Sequence, residues 1–179
     1  MRFFFLLLLL AAGPARPDAP KAELDRLFAA LKAAPNEATA AALEEKIRQT
    51  RQQAGSPAVR LLLEAGAHDL ETGDAAGALE TLDDALVLAP DDADAWFHRG
   101  LAKFRAGDYP GAIRDLEATL QRDSRHVEAL QTLSHIAESR EDWKGALAAW
   151  QKVLELDPHT PQAQDRLQML RRKVFGEAA

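Results

Sequence analysis

The chain of 179 residues contains no cysteine. That excludes disulfides, thiolate metal sites, thiol nucleophiles and a lipid-modified N-terminal cysteine, and it is compatible with an oxidising compartment. Bases are outnumbered by acids, 22 to 28, leaving a net charge of −6 and a pI near 5.4. This balance argues against nucleic acid or an anionic membrane surface as the main partner. No glycine-rich phosphate loop follows a strand, and no alternating strand pattern occurs. The histidines His68, His98, His126, His135 and His159 form no HxxxH or HExxH pair, so no metal site is expected. Ser134 beside His135 is not a catalytic pairing, because adjacent helical residues point different ways. These absences leave no enzyme signature and no cofactor site.

Long apolar runs are also scarce. The only one is Phe3 to Ala12, ten residues, well short of the ~20 needed to span a bilayer. It follows Met1-Arg2 and precedes Gly13-Pro14-Ala15, whose small residues suit a cut after Ala15. That layout is expected to be a secretory signal peptide over residues 1–15, giving a periplasmic or secreted protein without a stable membrane anchor. Arg16 to Pro20 reads as a flexible mature N-terminus.

What is present is a pattern that returns every 34 residues. Stacking 59–92, 93–126 and 127–160 aligns Gly66, Gly100 and Ser134. It also aligns Asp74, Asp108 and Asp142; Ala78, Ala112 and Ala146; Leu82, Leu116 and Trp150; and Pro90, Ser124 and Pro158. A period of this length with small residues at fixed places predicts a solenoid of helical hairpins. Gly73 should end a first helix by tolerating a left-handed backbone, and the three aspartates should cap the second helices. The small residues mark close helix approaches. Trp96, Trp143 and Trp150 fall in packing columns rather than in a ligand cage. The third repeat has Glu141 where glycine is expected at its inner turn, so that helix end should be looser.

Before the repeats, Leu24, Leu27, Phe28 and Leu31 form an apolar stripe at helical spacing. Asn36 is positioned to cap a second helix. Residues 16–57 therefore read as a flexible start and an N-terminal hairpin covering the first repeat, since solenoid ends need atypical caps.

The columns resemble the tetratricopeptide repeat (TPR) family. Ala95-Trp96-Phe97-His98-Arg99-Gly100, Gly107-Asp108-Tyr109 with Ala112, Trp143-Lys144-Gly145-Ala146 and Leu154-Glu155-Leu156-Asp157-Pro158 carry the resemblance. It covers residues 58–160, and 161–179 looks like the family's C-terminal capping helix. The chain as a whole looks like the small exported TPR proteins of Gram-negative bacteria. The resemblance implies an all-α, right-handed α-solenoid of three hairpins with a cap at each end, acting as a non-enzymatic protein–protein interaction module. Its first helices would line a concave groove that holds a protein or peptide partner. The groove columns fall on Arg60, Leu63, Ala67, Leu70 and Glu71; Asp94, Phe97, Leu101, Phe104 and Arg105; and Glu128, Gln131, His135, Glu138 and Ser139. One TPR subgroup clamps a C-terminal carboxylate with Lys and Asn in these columns. Leu63, Ala67, Phe97 and Leu101 stand there instead. Phe97, Leu101 and Phe104 either present an apolar groove to a partner or pack against the N-terminal hairpin or a neighbouring helix; the sequence leaves both readings open.

Charge is unevenly placed. Leu61 to Ala95 holds ten acids and no Lys or Arg, whereas Gln162 to Phe175 holds Arg166, Arg171, Arg172 and Lys173 against Asp165 alone. Self-association of an acidic first repeat with a basic C-terminal helix is the alternative use of this surface. Solvated helix faces and dipole complementation account for the same pattern.

Overall fold

Each fixed position of the repeat ends a helix or lets two helices touch. A computed structural model describes residues 19–176; the expected leader and its cut after Ala15 lie outside them. Among the described residues there are nine helices and no strand. Two helices, α1 (Ala19–Lys32) and α2 (Glu37–Ala54), precede the repeats. The first repeat is α3 (Pro57–Thr72) and α4 (Ala75–Leu88), the second α5 (Ala93–Arg105) and α6 (Tyr109–Arg122), and the third α7 (Val127–Ser139) and α8 (Trp143–Leu156). The last helix, α9 (Ala163–Phe175), packs on α8. Helices α3, α5 and α7 touch in series, forming one layer, with α4, α6 and α8 behind them.

The caps are those the residues call for. The carboxylates of Asp74, Asp108 and Asp142 accept the N–H of Gly77, Gly111 and Gly145 at 2.8, 2.9 and 2.9 Å. Asn36 accepts the N–H of Thr39 at 2.9 Å. Helix α1 starts earlier than the sequence suggests, with Pro20 in its first turn, where a missing N–H costs nothing.

The inner turns correct one expectation. Gly73 and Gly107 lie at φ 86° and 82°, and Glu141 takes the same left-handed conformation at φ 59°. The Asp142 N–H reaches the Ala137 carbonyl at 2.8 Å, as Asp108 reaches Lys103 at 2.9 Å, so the third turn is closed, not loosened. Glu141 instead bears the steric cost of its Cβ. Glu141→Gly is expected to raise stability by about 1 kcal/mol, read as a higher denaturant midpoint with unchanged slope.

The close approaches are physical. A Cβ on Gly66 would lie 2.8 Å from the fully buried Leu82 side chain. Ser134 is tolerated in the equivalent column because its hydroxyl donates to the Ala146 carbonyl at 3.0 Å, tying α7 to α8. Between repeats one and two, Arg99 donates to Asp83 at 2.6 Å and to Asp115 at 2.8 and 3.0 Å, while Lys103 lies 2.7 Å from Asp115. The Asp115 carboxylate is buried but doubly neutralised.

The apolar stripe of the N-terminal hairpin packs on the third repeat, and only the end of α2 reaches the first. Leu27, Phe28 and Leu31 of α1 and Ile47 of α2 are buried in one cluster with Leu130, Leu147, Trp150 and Leu170. The reason is apolar area: repeat three and α9 offer Trp150, Leu147 and Leu170 to the α1 stripe. Ion pairs fix the register. Arg125 meets Asp25 at 2.7 Å, and Arg51 meets Asp123 at 2.7 Å. The hairpin thus lies along the turns between repeats, over the third.

Candidate functional site

With the hairpin docked, α2 runs beside the layer formed by α3, α5 and α7, and the groove columns divide into three groups. The first group is core. Leu63 and Leu70 are buried with Val59 and Leu82, and Leu63 also borders a small cavity under α2. Leu101 packs against that same cluster, and Phe97 and Phe104 are half-buried against the cluster of Ala112, Leu116, Ala129 and Ile136. The Phe97 ring sits 4.6 Å from His126, and Phe104 lies 5.8 Å from Tyr109. These side chains pack on one side against neighbouring helices and keep part of their surface open. Their partners are adjacent repeats, not the N-terminal hairpin.

The second group is engaged in polar bonds. Because His126 Nδ1 accepts the Ala129 N–H at 3.3 Å, its Nε2 carries the proton and donates to Asp94 at 3.1 Å. Burial would raise Asp94, but the His126 hydrogen bond and the nearby Arg51 charge outweigh it and hold the carboxyl below its ordinary value. His98, beside this pair, has no partner for its Nδ1, and burial pushes its pKa down. It therefore stays neutral. Arg105 donates to the Leu70 carbonyl at 2.6 Å. Arg60 and Ala67 line a cavity of about 100 Å3 closed by Arg51 and Gln52 of α2, while Glu71 is exposed.

The third group is open. Gln131 and His135 of α7, with Glu128, line a cleft of about 440 Å3 whose other walls are Glu44 and Arg48 of α2, Trp150, Thr160, Pro161, Gln162 and Arg166. Gln131 donates to the Thr160 hydroxyl at 3.0 Å, and Arg166 reaches His135 Nδ1 at 3.2 Å and pairs with Glu138. Burial and the neighbouring Arg166 push the His135 pKa down. Ser139 is exposed beyond the cleft. The opening is therefore polar, rather than apolar as the middle of the groove list implies. Sequence reasoning missed the α2 wall, because nothing in the repeat pattern says where a non-repeating hairpin lands.

Glu44 is the titratable hinge of that wall. Burial, Asp157 and Glu128 push its carboxyl from 4.5 up to about 7. Asp157 Oδ2 is buried with no hydrogen-bond partner, and a protonated Glu44 supplies the donor it requires. The docked hairpin therefore favours the protonated acid. This stabilisation is complete below about pH 4.5 and lost as pH rises through about 7. Amide exchange in α2 is expected to be faster at about pH 8 than at about pH 6, after correction for intrinsic rates, and Glu44→Gln is expected to abolish the difference.

Stacked antiparallel hairpins with small residues at the crossings define a helical-repeat solenoid. Residues 63–134 match the family model described as tetratricopeptide repeat. A TPR repeat-containing protein of Rhizobium etli is 31% identical over 159 residues, covering 89% of this chain and 78% of the relative. The chain belongs to the tetratricopeptide repeat family. Among solved structures, the first TPR of Spaghetti bound to an HSP90 peptide superposes with a TM-score of 0.62 at 18% identity, over 67% of this chain and 95% of that one. MamA superposes at 0.60 and 18% identity, over 88% of this chain and 84% of its own.

Proposed function

We propose that this protein is a non-enzymatic interaction module that seats a polypeptide segment of a partner protein in the cleft between α2 and α7. The observation that carries the reading is the opening of about 440 Å3 lined by Gln131, His135, Glu44 and Arg48 on the inner side of repeat three. It offers donors and acceptors of both signs, which suit a polar extended segment held by main-chain and side-chain hydrogen bonds. A TPR neighbour in complex with a peptide supports this use of the fold. Carboxylate capture of the Lys/Asn kind is not carried over, because Leu63, Ala67, Phe97 and Leu101 occupy those columns. The charged N-terminus, ten-residue apolar run and small residues before position 16 support work outside the cytoplasm.

Photo-reactive residues placed at 131 and 135 in native cells test the site, with Ala148 on the outer layer as control. One partner peptide captured at both inner positions and absent at 148 is the expected result. Crosslinks confined to α2 of the same chain would show the cleft to be closed to partners. Mass spectrometry of the secreted fraction tests export, with Arg16 expected as the mature N-terminus.

A further inference from the structure

Every repeat has a leading face, the side that receives the repeat before it. The columns show which residues build it. Leu61, Ala95 and Ala129 are equivalent, and Ala95 and Ala129 are fully buried. Leu88, Arg122 and Leu156 are equivalent, and Arg122 reaches back to the Pro90 carbonyl of the preceding repeat at 3.0 Å. In repeat one these columns are largely uncovered, because the apolar stripe of the hairpin packs on repeat three. Leu61 is 65% and Leu88 60% exposed, with Val87 beside it at 80%. Only one other large apolar side chain among the described residues is as exposed: Phe175, at 67%, at the end of α9. The exposed apolar side chains thus sit at the two ends of the solenoid.

The same ends carry opposite charge. Glu64 lies one turn from Leu61, and Asp84 one turn from Leu88, within the segment that has no Lys or Arg. On α9, Arg171 and Arg172 share an exposed stripe with Gln168 and Phe175. Two other basic residues of α9 have partners within the chain: Arg166 pairs with Glu138, and Lys173 lies over the Trp143 ring at 4.8 Å. Arg171 and Arg172 are in no ion pair within the described residues.

We infer that the uncovered leading face of repeat one docks the outer stripe of α9 from a second copy of this chain, extending the solenoid head to tail. In this contact α9 stands to the next copy's α3 as α4 stands to α5. Phe175 covers Leu61 and Leu88, and the two arginines meet Glu64 and Asp84. The contact is heterologous, so it propagates rather than closing as a two-fold pair.

The absence of cysteine makes the test direct. Leu88→Cys and Phe175→Cys are made separately in the full chain and oxidised alone and mixed. A disulfide-linked dimer in the mixture, and none with either variant alone, is the expected result. Homodimers of a single variant would indicate a different pairing and overturn the inference. In sedimentation at low salt the unmodified chain is expected to self-associate and to dissociate at high salt. Arg171→Glu with Arg172→Glu is expected to weaken association at least about tenfold, with recovery when paired with a second copy carrying Asp84→Arg. A monomer at low salt and high concentration overturns the inference. So does a photo-reactive group at 61 that captures only residues 1–18 of its own chain.

Discussion

Replacing Arg51 by alanine is expected to release the N-terminal hairpin while leaving the three repeats folded. The Arg51 side chain is only 9% exposed. Its guanidinium donates to Asp123 through Nε at 3.1 Å and Nη2 at 2.7 Å, and to the Arg125 carbonyl at 3.2 Å. Glu128 lies 3.6 Å away, and the Phe28 ring 5.5 Å below. Deleting it leaves the Asp123 and Glu128 carboxylates at the hairpin seam without their shared cation. Breaking a buried pair from one side costs roughly 3–5 kcal/mol, and the lower end applies here because both acids keep some solvent. About 3 kcal/mol shifts the docking equilibrium on the order of 100-fold. Hydrogen exchange in 19–54 should accelerate accordingly, while α5 and α6 remain protected. Arg51→Lys should recover only part, since an ammonium cannot serve Asp123 and the carbonyl in one plane. Unchanged exchange in the alanine variant would mean that the apolar stripe alone holds the hairpin.

The second large effect is expected at Trp150. It is the bulky member of the column whose other residues are Leu82 and Leu116, and it is buried where α1, α7, α8 and α9 converge. Its Nε1 donates to the Ala163 carbonyl at 3.2 Å, and the Arg166 guanidinium stacks 4.6 Å from the ring centre. Trp150→Ala removes that packing, leaves a cavity and frees Arg166 from the wall of the cleft. A loss of roughly 3–5 kcal/mol follows from comparable truncations. At about 2–4 °C per kcal/mol, the thermal midpoint should fall by roughly 10 °C. Trp150→Phe should restore most stability but not the contact to Ala163. A fall of only a degree or two would show that the site refills by collapse of α9.

The repeats were legible because their information is local. A glycine where two helices cross, an aspartate three residues before an N–H, a proline after a helix: each acts within its own hairpin. The caps at Asp74, Asp108 and Asp142 and the Ser134 substitution were readable for that reason. Family columns assigned Leu63, Leu70, Phe97, Leu101 and Phe104 to a groove; Leu63 and Leu70 are buried, whereas Phe97, Leu101 and Phe104 are half-buried against neighbouring helices. The hairpin's destination was illegible. Its contacts join residues far apart in sequence, as in Arg51 to Asp123 and Arg125 to Asp25, and no period encodes such pairs. His126 as the cap of α7 was also hidden, because the next residues along the turn give no signal that an imidazole replaces a carboxylate there.

The docked N-terminal hairpin acts as a strap, with a further effect on how the molecule comes apart. In an open solenoid each unit touches only its neighbours, so ends fray first and unfolding spreads unit by unit. Here pairs 72 and 100 residues apart in sequence tie the beginning of the chain to its later turns. Melting of repeat three must therefore take α1 and α2 with it, and repeat one becomes the weak terminus although it lies in mid-chain. The strap also raises contact order, so its docking should be the slow step of refolding, arriving after the local hairpins have formed.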